Sequence, residues 1–372
     1  MIQPGYIRKI LLPGIILQSV LIGGGFATGR EIVEYGGRFG SKGWISGLAI
    51  FFGFSILAIL TFEACRQWKV YDYKSLLKKL IGRGWIAYEV SYLLLGILII
   101  AVMASAAGEI LHTTLNLNVW VGIVFIIGMV GFLNYMGEKF IAQMKVIGTI
   151  ALFGAYTIFG ILVFSSRSDQ IVDSLLRTSP ENSLGTPGTI FMIWTGITYV
   201  GYNLAVYPST LFTIRQINSK KESILAGVAA GLFMTIPWFL TYAALMAYYP
   251  SQDVLGAAVP WLKMLEPYGT YLIVIFGIVV GWTLIETATG IIHAFIGRID
   301  VDVFQKRGKH LASKQKAMIS FVALMAAMLL AQVGIIDLIA KGYSIMAYAM
   351  ILFYGVPLLV VAPKLFANKS NQ

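Results

Sequence analysis

Two ionisable residues lie deep inside apolar stretches of the sequence. Lys145 falls within AQMKVIGT, and Glu286 within WTLIETATG, where Thr287 and Thr289 flank it. Ionisable groups at membrane depth are functional candidates by default, because hydrocarbon does not solvate them. Desolvation moves a lysine or a carboxylic acid toward its neutral form, which suits such a group to carry a proton. The expectation is that Lys145 and Glu286 approach each other, and that protonating one biases an inward–outward equilibrium. The bland alternatives are snorkelling of Lys145 to the interface and a structural polar partnership for Glu286. The Thr287 and Thr289 hydroxyls, with backbone carbonyls near Gly23, keep a sodium ion open as the coupling species.

Two stretches carry the pattern of a binding site. The apolar run Ile10–Ile22 has 13 residues, too few to cross a core of about 30 Å at about 1.5 Å per residue. Gly23-Gly24-Gly25 follows, then Phe26-Ala27-Thr28-Gly29-Arg30-Glu31, which is too polar to face lipid. Consecutive glycines form helix poorly, so this spacing predicts a helix that unwinds at the midplane and resumes near Phe26. Farther on, Gly201-Tyr202-Asn203 interrupts an apolar run, with Pro208 beyond it. An unwound span survives in a membrane only where it lines a cavity. N–H groups near Phe26, Ala27 and Thr28 would meet a carboxylate, and carbonyls near Gly23 and Gly201 an ammonium or a cation. Tyr199, Tyr202 and Trp194 are candidates to cap such a site, since an aromatic ring excludes water and covers an ammonium. The alternative is that the glycines only allow close helix packing. Glu31 and Glu34 are expected to line an outer vestibule or to attract a cationic substrate.

These groups require a membrane, and the composition supplies one. The 372 residues are 58% hydrophobic and 12% charged, with a mean hydropathy of +0.79. Soluble domains carry roughly a quarter charged residues, and no globule of this size hides so much apolar surface. A soluble enzyme, a disordered chain, a secreted disulfide scaffold and a nucleic-acid binder are all disfavoured. Apolar stretches of about 20 residues predict ten spans, at 10–38, 43–64, 84–112, 119–136, 138–165, 187–214, 221–248, 268–297, 316–333 and 336–363. The termini and alternate connections, with Lys139 and Lys145 just inside the fifth span, hold 21 Lys and Arg residues, against five on the other side. That asymmetry puts both termini in the cytoplasm of a plasma-membrane protein and makes anionic lipid a partner of the basic side.

The polar connection 167–186 divides the chain into residues 1–166, a first five-helix repeat, and 187–372, a second of opposite topology. Interrupted spans at matching positions of inverted halves point to a transporter's midplane site. Cys65 is the single cysteine and allows no internal disulfide. The start of the chain imitates a signal peptide, but Pro13 and Gln18 interrupt its apolar run and no A-x-A site follows, so it reads as a retained first helix.

The segment GGGFATGREIVEYGG at 23–37, the Gly43-Trp44 pair and YVGYNL at 199–204 resemble the YkvI-like permease family. That family belongs to the amino acid–polyamine–organocation superfamily. The resemblance implies an all-α polytopic membrane protein with the five-plus-five inverted repeat of the LeuT-type fold, helices one and six broken at mid-membrane. It implies that Lys145 stands where sodium symporters hold a sodium ion, as in several proton-coupled members, and that Glu286 lies near the level of their hydroxyl ligands. It also implies an extracellular gate between Arg30 and Asp337, although Lys341 competes locally for Asp337. The sodium-symporter branch has a substrate-binding tyrosine at mid-depth in helix three. Here the run is Ala104-Ser105-Ala106-Ala107-Gly108 with Met103 beside it, so that contact does not transfer.

The sequence therefore predicts a secondary transporter of a small amino acid or related amine-bearing solute, proton-coupled and working by alternating access. Gly23, Gly24, Gly25, Phe26, Ala27, Thr28, Tyr199, Gly201, Tyr202 and Asn203 are the expected binding residues. An amino-acid-sensing receptor subunit with a transporter fold, as in germinant receptors, is the rival from another class; a sodium symporter and a channel are further alternatives. No HExxH, CxxC, GxSxG or P-loop pattern occurs, and His112, His293 and His310 sit at helix ends or in a loop. Neither an enzyme, a cofactor nor a metal other than sodium is expected.

Overall fold

In hydrocarbon a backbone has no water to bond to, so an apolar chain satisfies its own N–H and C=O groups by forming helices. The computed structural model describes residues 4–136, 138–176 and 188–367, and at 4, 24, 136, 138–147, 149, 150, 153, 306, 366 and 367 it describes the backbone alone. Every regular element among the described residues is helical. Helices occupy each of the ten expected stretches. Among the described residues, seven helical stretches are long and apolar enough to cross a membrane by length and composition, including Trp44–Trp68 and Lys220–Met246.

In chain order the helices are α1 (Pro4–Leu21), α2 (Gly24–Thr28), α3 (Arg30–Tyr35), α4 (Trp44–Trp68), α5 (Tyr73–Ile81), α6 (Trp85–Leu115), α7 (Val119–Met136), α8 (Glu138–Ser166) and α9 (Ser168–Leu176). The second half holds α10 (Thr189–Asn203), α11 (Lys220–Met246), α12 (Gln252–Leu255), α13 (Pro260–Leu265), α14 (Thr270–Arg307), α15 (Ser313–Ala331), α16 (Ile335–Asp337), α17 (Ser344–Met350) and α18 (Val356–Ala367). Two π-helical stretches, Leu338–Tyr343 and Ile351–Gly355, join the last three.

Helix one breaks where expected. Ile22 and Gly23 lie outside any helix, and a second turn at Gly29 (φ 83°) separates α2 from α3. Helix six behaves differently from the expectation. It remains α-helical through Gly201-Tyr202-Asn203 and then tightens into a 3₁₀ helix over Leu204–Gln216. The Gly201 carbonyl, expected to be unpaired, accepts the Leu204 N–H. Tightening of this kind keeps the backbone bonded, so it needs no cavity to solvate it.

The core is built from α1, α4, α6, α10, α11 and α14. Close approach is made possible by small residues: a side chain on Gly227 or Gly231 of α11 would strike the backbone of α4 at Ile59 or Ser55. The outer surface is apolar, with Phe52, Leu94, Phe125 and Phe321 all more than half exposed, as a lipid-facing surface requires.

One end of the bundle is tied by ion pairs. Lys9 Nζ meets Glu222 at 2.5 Å, Arg66 meets Glu63 at 2.6 Å, and Lys74 meets Asp302 at 2.5 Å. Arg298 meets Glu89 at 2.9 Å and lies over the rings of Tyr73 and Tyr92. We call this the basic face. The short helix α5 lies there, begun by the Asp72 side chain accepting from the Ser75 N–H at 2.8 Å. Its Leu76, Leu77 and Leu80 are buried against the bundle.

Candidate functional site

The break in helix one is local chemistry. Gly23 is extended (φ −135°, ψ 175°), its N–H donating to the Leu21 carbonyl at 2.8 Å and its own carbonyl accepting from Phe26 N–H at 3.1 Å. Six residues later Gly29 turns the chain through the left-handed region, which glycine enters without the Cβ penalty. The turn starts a new helix and brings Glu31 back toward the break. Tyr202 Oη donates to Glu31 Oε2 at 2.8 Å, linking helix six to helix one. The other carboxyl oxygen lies over Gly25, so close that any side chain there would displace it.

Glu31 lines a cavity of about 110 Å³ together with Gly23, Gly25, Tyr202, Asn203, Thr287 and Met103. Tyr343 and Tyr92 complete two of its sides. Tyrosines crowd around Glu31: the Tyr202 and Tyr343 rings are 4.5 Å apart, and Tyr35 lies 5.3 Å from Tyr199 and 5.7 Å from Tyr202. Among the described residues Glu31 is the one charged side chain that lines this cavity.

A second, smaller cavity of about 30 Å³ shares Thr287 with the central one. Ser19, Ile22, Gly148, Leu152, Thr283 and Glu286 line it with Thr287. The Glu286 carboxyl lies against Gly148 of α8, so α8 and α14 are in contact beside the helix-one break. Lys145, one turn earlier on α8, has its side chain outside the described residues.

Of the expected binding residues, Gly23, Gly25, Tyr202 and Asn203 line the central cavity. Tyr199 is buried behind it, edge-on to Tyr202 at 5.5 Å. The side of Gly24 is not described. Phe26 instead lines an apolar groove of about 340 Å³ with Tyr156 and Trp261, beside the lipid-exposed Ile161, Ile236 and Leu240. The Ala27 carbonyl accepts from Tyr156 Oη, and Thr28 Oγ1 donates to the Gly25 carbonyl at 2.7 Å. These groups are spent on the local fold, and α2, with five residues, is too short to act as an anion-binding helix terminus. Gly201 faces away from the cavity, where a Cβ would meet Ile351 at 2.8 Å and Ala347 at 3.0 Å. Trp194 stacks on Tyr348 and is 45% exposed, far from a capping role. Thr289 donates to its own helix, to Ile285 O at 2.7 Å.

The expected gate between Arg30 and Asp337 is not formed. Asp337 pairs with Lys341 at 2.9 Å on an exposed turn, one helical turn being closer than any other basic group. Arg30 is buried and donates to the Leu255 carbonyl at 2.7 Å and the Ala257 carbonyl at 3.1 Å, with Glu34 at 3.5 Å. It therefore fastens the segment between α12 and α13 over the end of helix one opposite the basic face. Trp261 of α13 sits over Gly29.

The central position of Glu31 is what sequence reasoning missed. The signal was Gly29, a helix stop between two polar residues that assigns Arg30 and Glu31 to a new helix with a new direction.

No protein-family model matches the chain. A curated relative, the uncharacterized membrane protein YkvI of Bacillus subtilis (strain 168), is 24% identical over 355 residues, covering 93% of this chain and 94% of that protein. Among solved structures, a Na+-coupled sialic acid symporter in a substrate-bound outward-open state superposes with a TM-score of 0.53 at 16% identity. The match covers 96% of this chain and 85% of that one. A manganese transporter of Eremococcus coleocola superposes with a TM-score of 0.51 at 12% identity, over 100% of this chain and 90% of that one. The chain is a membrane protein with a transporter fold.

Proposed function

We propose that the chain is a secondary transporter of the plasma membrane that moves a small amine-bearing solute, an amino acid or a related amine, by alternating access. The observation that carries this reading is the buried Glu31 carboxyl lining a cavity at the break in helix one. A carboxylate desolvated there needs a countercharge, and a protonated amine supplies one. Tyr202, Asn203, Gly23 and Gly25 surround it, and a cavity this size suits a solute of few heavy atoms. Residues 1–166 and 187–372 are the two inverted repeats, and the basic face is cytoplasmic, in contact with anionic lipid.

The coupling ion acts at the neighbouring small cavity. Glu286, Thr287, Thr283 and Ser19 offer a carboxylate and three hydroxyls there, and Lys145 is the group on α8 to complete it. Protons are the proposed coupling species. The Na+-coupled relative by structure supports sodium as the second choice. Uptake of a pooled set of labelled amino acids and amines by proteoliposomes, under a proton gradient of either direction, an inward sodium gradient or neither, tests the proposal. Accumulation with protons alone is the expected result. Accumulation with sodium alone keeps the transporter and replaces the ion. Binding without uptake under any gradient overturns transport in favour of a sensor.

A further inference from the structure

We propose that Glu31 holds either a proton or the ammonium group of the solute but not both, so that solute binding expels one proton from the central cavity. The inference rests on reading this cavity as the solute site. Glu31 is 5% exposed, and its one hydrogen bond among the described residues comes from Tyr202. One hydrogen bond does not compensate a carboxylate taken out of water. Without a solute, a proton neutralises it; with an ammonium in the cavity, the ion pair does, and the proton is surplus.

Among the described residues, no second carboxylate or other basic side chain lines the cavity. Tyr199 and Tyr202 of α10, Tyr35 of α3 and Tyr343 of the π stretch face Glu31, as does Tyr156 of α8. Tyr92 of α6 lies across the cavity. Their phenols are hydroxyl donors and weak acceptors, not bases that compete with a carboxylate for the proton. On its own helix Glu34 is already paired, with Arg38 at 2.6 Å and Arg30 at 3.5 Å. Glu286 of α14 stands behind Thr287 in the separate small cavity. The step balances: the Glu31 carboxylic O–H breaks, its proton passes to bulk buffer, and the carboxylate left behind receives the ammonium N–H.

The test is calorimetric binding to the purified full-length protein in detergent, with no gradient, so it does not depend on transport. The probes are ethylammonium, tetramethylammonium (whose charge does not titrate), glycine and acetate, each titrated in two buffers of different ionisation enthalpy between pH 5 and pH 8. The expected result is binding of at least one of the two cations with release of close to one proton at the acid end. The affinity should fall about tenfold per pH unit there, and acetate should not bind. Glu31→Gln should abolish both binding and release, while Glu31→Asp retains release with weaker binding. Absence of cation binding, binding without proton release, or acetate binding tighter than ethylammonium overturns the proposal. Proton release that survives Glu31→Gln and vanishes in Glu286→Gln overturns it as well. If the predicted binding profile appears and proteoliposomes take nothing up, the transporter reading fails and this one stands.

Discussion

Thr287 on α14 faces the Cα of Gly23 so closely that a methyl group there would stand 2.9 Å from its Oγ1 and 3.0 Å from its Cγ2. The backbone of Gly23 is extended, a conformation any residue adopts, so the requirement for glycine is steric. Gly23→Ala should therefore lower stability by about 1–3 kcal/mol, the range for forcing a methyl into a packed site. The thermal midpoint in detergent reads it. Gly23→Ala combined with Thr287→Ala should recover most of the loss, and a double variant as unstable as the single one would show that another contact is responsible.

Arg30 should matter through the backbone it holds. Arg30→Lys replaces a fork that meets two carbonyls with a single ammonium, so the segment between α12 and α13 should loosen. A cysteine placed at Ala258 should then react faster with a membrane-impermeant maleimide. Asp337→Asn should change neither that rate nor uptake, and exchanging the two charges should not restore what Arg30→Asp loses.

At the basic face, Arg298 joins α14 to α6 and α5. Its side chain is 10% exposed and that of Glu89 is 9% exposed. Removing one partner of a pair this buried strands the other charge, at a cost of about 3–5 kcal/mol. Arg298→Ala should show that loss in thermal unfolding. Arg298→Lys should recover less than half, because an ammonium does not lie flat on the rings of Tyr73 and Tyr92 as the guanidinium does at 3.9 Å and 3.5 Å.

Gly201 separates packing from binding. Gly201→Ala would press on Ile351 at 2.8 Å, and should reduce stability by about 1–3 kcal/mol while leaving the solute dissociation constant unchanged. Ile351→Val in the same chain should restore part of the stability. A weakened solute affinity instead would return Gly201 to the binding site.

The helices and the break at Gly23 were legible because both follow from composition along the chain: apolar length sets a span, and three glycines interrupt it. Helix six was only half legible. Gly201 marked a real peculiarity, but its cause is Ile351, 150 residues away, and the passage from α to 3₁₀ geometry after Asn203 changes a hydrogen-bond register without requiring any residue type. Arg30 was misread for a related reason. Its partners are the carbonyls of Leu255 and Ala257, and a carbonyl is the same in every residue, so no charge complementarity announced it. For Glu31 the two expectations, an outer vestibule or attraction of a cationic substrate, both let helix one resume in a single direction near Phe26. The positive φ at Gly29 redirects it, and a turn of that kind depends on one dihedral that the residue name permits but does not dictate.

Thr287 belongs to both cavities, with Glu31 across one and Glu286 across the other. Where two ligands that touch one side chain are coupled, the coupling is reciprocal. Whatever factor an ion beside Glu286 contributes to solute affinity, the solute must return to the ion. Measuring either dissociation constant with and without the other ligand then fixes both sides of the thermodynamic square, and Thr287→Ser or Thr287→Ala would change the two sides by the same factor.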